Sequence, residues 1–210
     1  MPRFCFRVIT PLIIRWLFMP RPKAYNEDKV LTAAMLCFWR KGYTATSVKD
    51  LEAATGLTPG SLYNSFDSKD GLFLRAMDHY IDKVVRARVR RFLQAKDPIA
   101  GIEEFFLDCF RSRAATAGLG CLLINTSTEL GPHDEVVRKK VVFGMKIVDE
   151  ALSSAIVRAQ TLGRIAVDVD PKARGAHLGL LLNGMLVNAK VASNQNWLKV
   201  AMGSVKNLLH

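Results

Sequence analysis

The chain has 210 residues, 50% of them hydrophobic and 23% charged, which excludes a disordered tail and a membrane bundle and leaves one large domain or two small ones around a sizeable core. Lys and Arg number 30 against 19 Asp and Glu, a net charge of +11, so a polyanion is the first partner to consider.

The excess is uneven. Residues 1–91 hold 16 basic and 8 acidic side chains, residues 92–210 hold 14 and 11, so the basic end is N-terminal. Cys5, Cys37, Cys109 and Cys121 are widely spaced, with no Cys-x-x-Cys pair and no His at zinc-finger offsets. That spacing argues against a disulfide framework or a structural metal, predicts no cofactor, and suits a reducing cytoplasm.

Residues 1–18 are apolar but carry Arg3, Arg7 and Arg15, and Pro11 interrupts the uncharged stretch Val8 to Ile14. No Ala-x-Ala cleavage site follows, so neither a secretory signal nor an anchor is expected. Met19 precedes a basic, Pro-punctuated arm that reads as the beginning of the folded protein, with residues 1–18 a doubtful extension from an upstream start codon. The uncharged stretch Ala176 to Ala189 is too short for a bilayer and contains His177, Asn183 and Asn188; burial within protein suits it better, and no membrane partner is expected.

Apolar residues recur at helical spacing nearly throughout, so the expected fold is all-α, with about nine helices. The first starts at Asn26 as N-cap, buries Leu31, Ala34, Met35 and Phe38, and ends at Gly42. Thr46 is read as the cap of a short second helix through Ala54, with Val48 and Leu51 inward. Gly56 supplies a left-handed turn. Thr58 caps a third helix with Pro59 at its first position and Leu62 and Phe66 on its buried side, so the pair is a helix-turn-helix. Ser68 caps a long fourth helix running to about Gln94, and the Arg86, Arg88, Arg90 and Arg91 cluster at its far end reads as a solvated face.

Asp97-Pro98 opens the fifth helix, with Ile99, Ile102, Phe105, Phe106, Cys109 and Phe110 inward. A short helix follows Gly120 and stops at Gly131-Pro132. The helix from about Asp134 to Leu162 buries Val137, Val141, Met145, Val148, Leu152 and Ile156. Asp170-Pro171 starts a helix apolar on nearly all sides, and a last one from about Asn194 presents Trp197, Val200, Ala201, Val205 and Leu208. These last two helices carry more apolar surface than one monomer can hide, and a homodimer through them is expected.

The segments Arg21-Pro22-Lys23, Thr46-Ser47-Val48-Lys49-Asp50-Leu51, Ala54-Thr55-Gly56-Leu57-Thr58-Pro59-Gly60-Ser61-Leu62-Tyr63, Phe66 and Ser68-Lys69-Asp70-Gly71-Leu72 resemble the DNA-binding domain of TetR-family transcriptional regulators. The likeness covers about Arg21 to Phe73 without a gap. It implies a DNA-binding domain over residues 19–67 and a helical effector-binding and dimerisation domain over 68–210. It further implies a repressor, not an enzyme, released from a palindromic double-stranded operator by a small-molecule or thiol-reactive effector.

In such a fold the second helix of the motif enters the major groove. Thr58, Pro59, Gly60 and Asn64 are then placed to face bases. Gly60 lets the backbone approach, Pro59 can meet a thymine methyl, and Asn64 either pairs with adenine or is a plain surface residue. Phosphate contacts fall to Thr46, Ser61, Tyr63 and Lys69, with Arg21 and Lys23 as a reaching arm.

The segment Gly120-Cys121-Leu122 resembles a subgroup of AcrR-like regulators in which this Cys can sense electrophiles or oxidants. A helix N-terminus favours thiolate, which permits that role; the alternative is a small buried apolar residue. An apolar effector pocket is expected near Phe105, Phe106, Cys109, Cys121, Asn125 and Met145. Two other classes remain open at this point: a nonspecific basic DNA-binding protein, and a cysteine enzyme using Cys121 with His133 or His177.

Overall fold

The computed structural model describes residues 25–111, 118–192 and 196–210. Among them are nine α-helices and no strand: α1 (Glu27–Lys41), α2 (Val48–Thr55), α3 (Pro59–Phe66), α4 (Lys69–Tyr80), α5 (Pro98–Phe110), α6 (Leu122–Glu129), α7 (Glu135–Thr161), α8 (Pro171–Asn188) and α9 (Asn196–Asn207). α4 runs on through two π-wound stretches, Ile81–Arg86 and Val89–Leu93.

Local chemistry sets most boundaries. Asn26, Thr58, Ser68, Asp97, Asp134 and Asp170 each accept a hydrogen bond from a first-turn backbone N–H, satisfying donors that the helix itself leaves unpaired. The second helix departs from expectation. Ser47, not Thr46, is its cap, in a reciprocal box with Asp50, while the buried Thr46 hydroxyl donates to the Gly42 carbonyl. Gly56 then turns the chain at φ 71° and ψ 9°.

One core joins Val30, Ala34 and Phe38 of α1 to Leu51, Leu62 and Phe66 of the motif and to Phe73 and Met77 of α4. Phe38 and Phe73 meet edge to face at 4.9 Å. Truncating Phe38 would cost about 3–5 kcal/mol. Val48, expected inside, is only partly covered, as is Leu57 at the turn. The same core continues into Leu122, Leu123, Val137 and Val141, so α6 and α7 support the helix-turn-helix directly.

A second core joins α5, α7, α8 and α9 through Phe106, Ile102, Leu152, Ile156, Leu178 and Val205. Gly175 and Gly179 let α8 lie close against Ser153 and Asp149 of α7. Met145 and Val148 are half-buried, and Val200 points out of α9. No helix among the described residues is long and apolar enough to cross a membrane.

Candidate nucleic-acid interface and adjoining cavity

The turn at Gly56 sets α3 on the outside of the motif. Leu62 and Phe66 pin it to the core; Thr58, Gly60, Ser61, Tyr63 and Asn64 are exposed and Pro59 half-exposed. Thr58 Oγ1 caps the helix by accepting from Ser61 N at 3.3 Å. Asn64 makes no hydrogen bond to any described residue, so its amide is available to a partner. A methyl built on Gly60 would meet nothing within 4 Å.

Lys69 opens α4 and places its ammonium 4.3 Å from the centre of the Tyr43 ring. The Tyr43 hydroxyl donates to Asp70, and burial together with that carboxylate pushes it up to about 12. Lys69 therefore stands on a braced platform beside α3. Thr46 is placed differently from expectation: only 1% exposed and bonded to Gly42, its side chain faces the core and Ser47 is exposed at the start of α2 in its stead. Arg21 and Lys23 lie outside the described residues.

A feature with no local signature ties this platform to the rest of the protein. Glu129, at the end of α6, accepts from the backbone N–H groups of Tyr43 at 3.1 Å and Thr44 at 2.7 Å. Gly42 makes room for it, at φ 79°, where a Cβ would lie 2.9 Å from Glu129 Oε2. Burial raises the carboxyl, but the hydrogen bonds from Thr44 and Tyr43 and the charge of Lys69 outweigh it and hold Glu129 below its ordinary range.

The sign of the pH dependence follows. The folded carboxyl is depressed, so its contribution is present above the unfolded carboxylate range and is lost as pH falls through the folded value. Glu129→Gln is expected to cost about 1–2 kcal/mol at neutral pH. Paired thermal melts should show the gap between wild type and variant closing in acid; a gap independent of pH would contradict the clasp.

Beneath the clasp is a cavity of about 350 Å³ whose wall includes Trp39 of α1, Tyr80 and Arg88 of α4 and its continuation, Phe105 and Cys109 of α5, Cys121, Met145 of α7 and Asn183 of α8. Cys121 is the α6 N-cap residue, and its sulfur accepts from the Tyr80 hydroxyl at 3.4 Å. Trp39 packs edge-on to Tyr80 at 5.0 Å, so α1, which packs on the helix-turn-helix, also forms part of the cavity wall.

Two expected lining residues lie elsewhere. Phe106 points into the second core because it faces α7 and α8 instead. Asn125 lines a neighbouring polar cleft, where its amide is held by donating to the Leu119 carbonyl and accepting from Lys190. No group of three His, Cys, Asp or Glu that could hold a metal is present among the described residues.

A helix-turn-helix with an exposed second helix, clasped to a helical body that bears a cavity, defines a class of all-helical DNA-binding regulators. The comparisons agree. Residues 30–76 match the model of bacterial regulatory proteins, tetR family, and residues 98–205 the tetracyclin repressor-like C-terminal domain. The chain belongs to the tetR family of transcriptional regulators. It is 29% identical over 192 residues to the HTH-type transcriptional repressor ComR of Escherichia coli (strain K12), covering 90% of each chain. It is 25% identical to the repressor DhaR of Mycobacterium sp. (strain GP1), covering 75% of this chain and 79% of that one. A cysteine mutant of the TetR family regulator CifR, solved with 26-bp double-strand operator DNA, superposes with a TM-score of 0.75 at 28% identity, covering 90% of this chain and 98% of that chain.

Proposed function

We propose that the protein is a homodimeric repressor in which residues 19–67 read a palindromic operator and residues 68–210 carry dimerisation and effector control, working in the cytoplasm beside its operator DNA. The observation that carries the reading is α3, whose exposed face combines an unbonded Asn64 with a glycine that packing in the free chain does not require. Thr58, Pro59, Gly60 and Asn64 face bases. Ser61, Tyr63 and Lys69 hold phosphates, Ser47 takes the place first expected for Thr46, and Arg21 and Lys23 extend the contact.

Dimerisation uses α8 and α9. Leu180, Val191 and Val200 are 69%, 80% and 73% exposed in the single chain, and Val187 and His177 share the outer face of α8. Two copies joined there carry two α3 helices to half-sites about one helical turn apart. The cavity takes the effector, with Phe105, Cys109, Cys121 and Met145 at its wall. Cys121, half-buried beneath the Tyr80 hydroxyl, is the thiol through which an electrophile or oxidant acts. To turn an operator-bound population over from 99:1 to 1:99, the effector must favour the released state by about 5.5 kcal/mol.

Fluorescence anisotropy on upstream and scrambled DNA, before and after mild oxidant, tests the reading. Asn64→Ala should lose discrimination at one base pair, worth about 1–3 kcal/mol, whereas Lys69→Ala should weaken all sequences alike and flatten the salt dependence. Equal effects of both on cognate and random DNA would remove the base-reading assignment. Cys121→Ser should retain specific binding and lose the response to oxidant; wild-type binding indifferent to oxidant would leave Cys121 as a packing residue.

A further inference from the structure

We propose that the cavity is a monocarboxylate site, with Arg88 as the anchor for the anion and the surrounding apolar wall for a compact hydrocarbon body. This rests on the cavity being the effector site. The arginine cluster of the fourth helix reads in sequence as a solvated face, and Arg86, Arg90 and Arg91 are indeed exposed. Arg88 is not: its side chain is only 18% exposed, and it lines the cavity.

The helical winding explains the difference. Met77, Ile81, Val85, Val89 and Leu93 are buried at a constant spacing of four, which a 3.6-residue helix would carry round to another face. The π-wound stretches Ile81–Arg86 and Val89–Leu93 widen the turn and keep this stripe facing inward. Arg88 lies on the adjacent stripe, also spaced by four, with Tyr80, Val84 and Phe92. The winding that buries these residues brings a guanidinium in with them.

An arginine inside costs several kcal/mol of desolvation unless it is paired. Asp108 of α5, 4% exposed, supplies the pair, with Oδ2 2.8 Å from Arg88 Nε. Among the described residues Nε is the sole bonded nitrogen of this guanidinium, whereas a purely structural Arg–carboxylate pair commonly uses two. The terminal N–H groups thus keep the planar donor fork that a carboxylate fits. Other donor-bearing side chains line the same wall, Trp39, Asn183 and Tyr80, the last with its proton already given to the Cys121 sulfur. The acidic residue on the wall is Asp149, which lies across on α7 against Gly179, and burial pushes its carboxyl up, which weakens its repulsion of an anion.

Calorimetric titration of the intact protein with naphthoate and with naphthamide, equal in shape and different in charge, tests the anchor. Naphthoate is expected to bind at least about tenfold more tightly, a difference of about 1.4 kcal/mol. The variant pair Arg88→Met with Asp108→Asn removes both charges, so no buried carboxylate is orphaned. It should abolish the naphthoate advantage while changing naphthamide binding less than about threefold, with a thermal melt confirming the fold. Arg88→Lys, which keeps charge without the fork, should retain only part of the advantage. Equal binding of the two probes to wild type, or an advantage that survives in the double variant, overturns the anchor and leaves the cavity as an effector site. Failure of both probes to bind overturns the anchor and the effector-cavity reading together.

Discussion

Gly60→Ala is expected to stabilise the free protein and weaken its grip on the operator. Gly60 lies in the first turn of α3, has no positive φ, and a Cβ there would meet nothing within 4 Å. Glycine in a helix costs roughly 0.5–1 kcal/mol relative to alanine, so nothing in the free fold repays its presence. If α3 reads DNA as proposed, the missing methyl lets its backbone come against the operator, and an added carbon would hold the helix off and lengthen the neighbouring contacts. A thermal melt should rise by a few degrees at most, while operator affinity falls at least about tenfold. Affinity that stays at the wild-type level in anisotropy titrations would mean that α3 does not approach DNA at Gly60.

Gly71→Ala is the opposite case, and its effect should be larger on the fold than on any single contact. Gly71 stands in the first turn of α4, where its N–H is capped by Ser68 Oγ at 3.0 Å. A methyl on it would overlap the carbonyl oxygen of Phe66, the last residue of α3. Backbone cannot rotate away as a side chain can, so α3 and α4 must separate, loosening the packing of Phe66 and Leu62. The expected cost is about 3 kcal/mol, the upper range for overpacking, or a fall in melting temperature of roughly 6–12 °C. Calorimetry on the two variants makes the contrast: the same added methyl, stabilising at Gly60 and strongly destabilising at Gly71. A Gly71→Ala melt within about 1 °C of wild type would show that the α3–α4 junction has slack.

Much of the framework is legible in local sequence because capping and turn chemistry act over three or four residues. Asn26, Thr58, Ser68, Asp97, Asp134 and Asp170 cap where a side-chain oxygen precedes an apolar repeat, and Gly56 turns the chain because its left-handed conformation favours glycine. Thr46 shows the limit of that reasoning. Thr46 and Ser47 can both cap, and the choice of Ser47 comes with the Thr46 hydroxyl bonding back to Gly42 from inside the core.

By itself the sequence determined the all-helical framework, the helix-turn-helix, the outward face of α3 and the clustering of apolar residues in α8, since each depends on the period and identity of near neighbours. Tertiary structure alone decided that Arg88 turns inward to Asp108, that Phe106 enters the core while Cys109 faces the cavity, and that Glu129 clasps the turn at Tyr43 and Thr44. Those outcomes depend on groups 20 to 86 residues apart, on the pitch of a π-wound helix, and on which surfaces of α5 and α6 their neighbours cover. A hydrogen bond or an ion pair at such separations leaves no periodic trace in the chain; it exists once packing has removed water and set donor against acceptor.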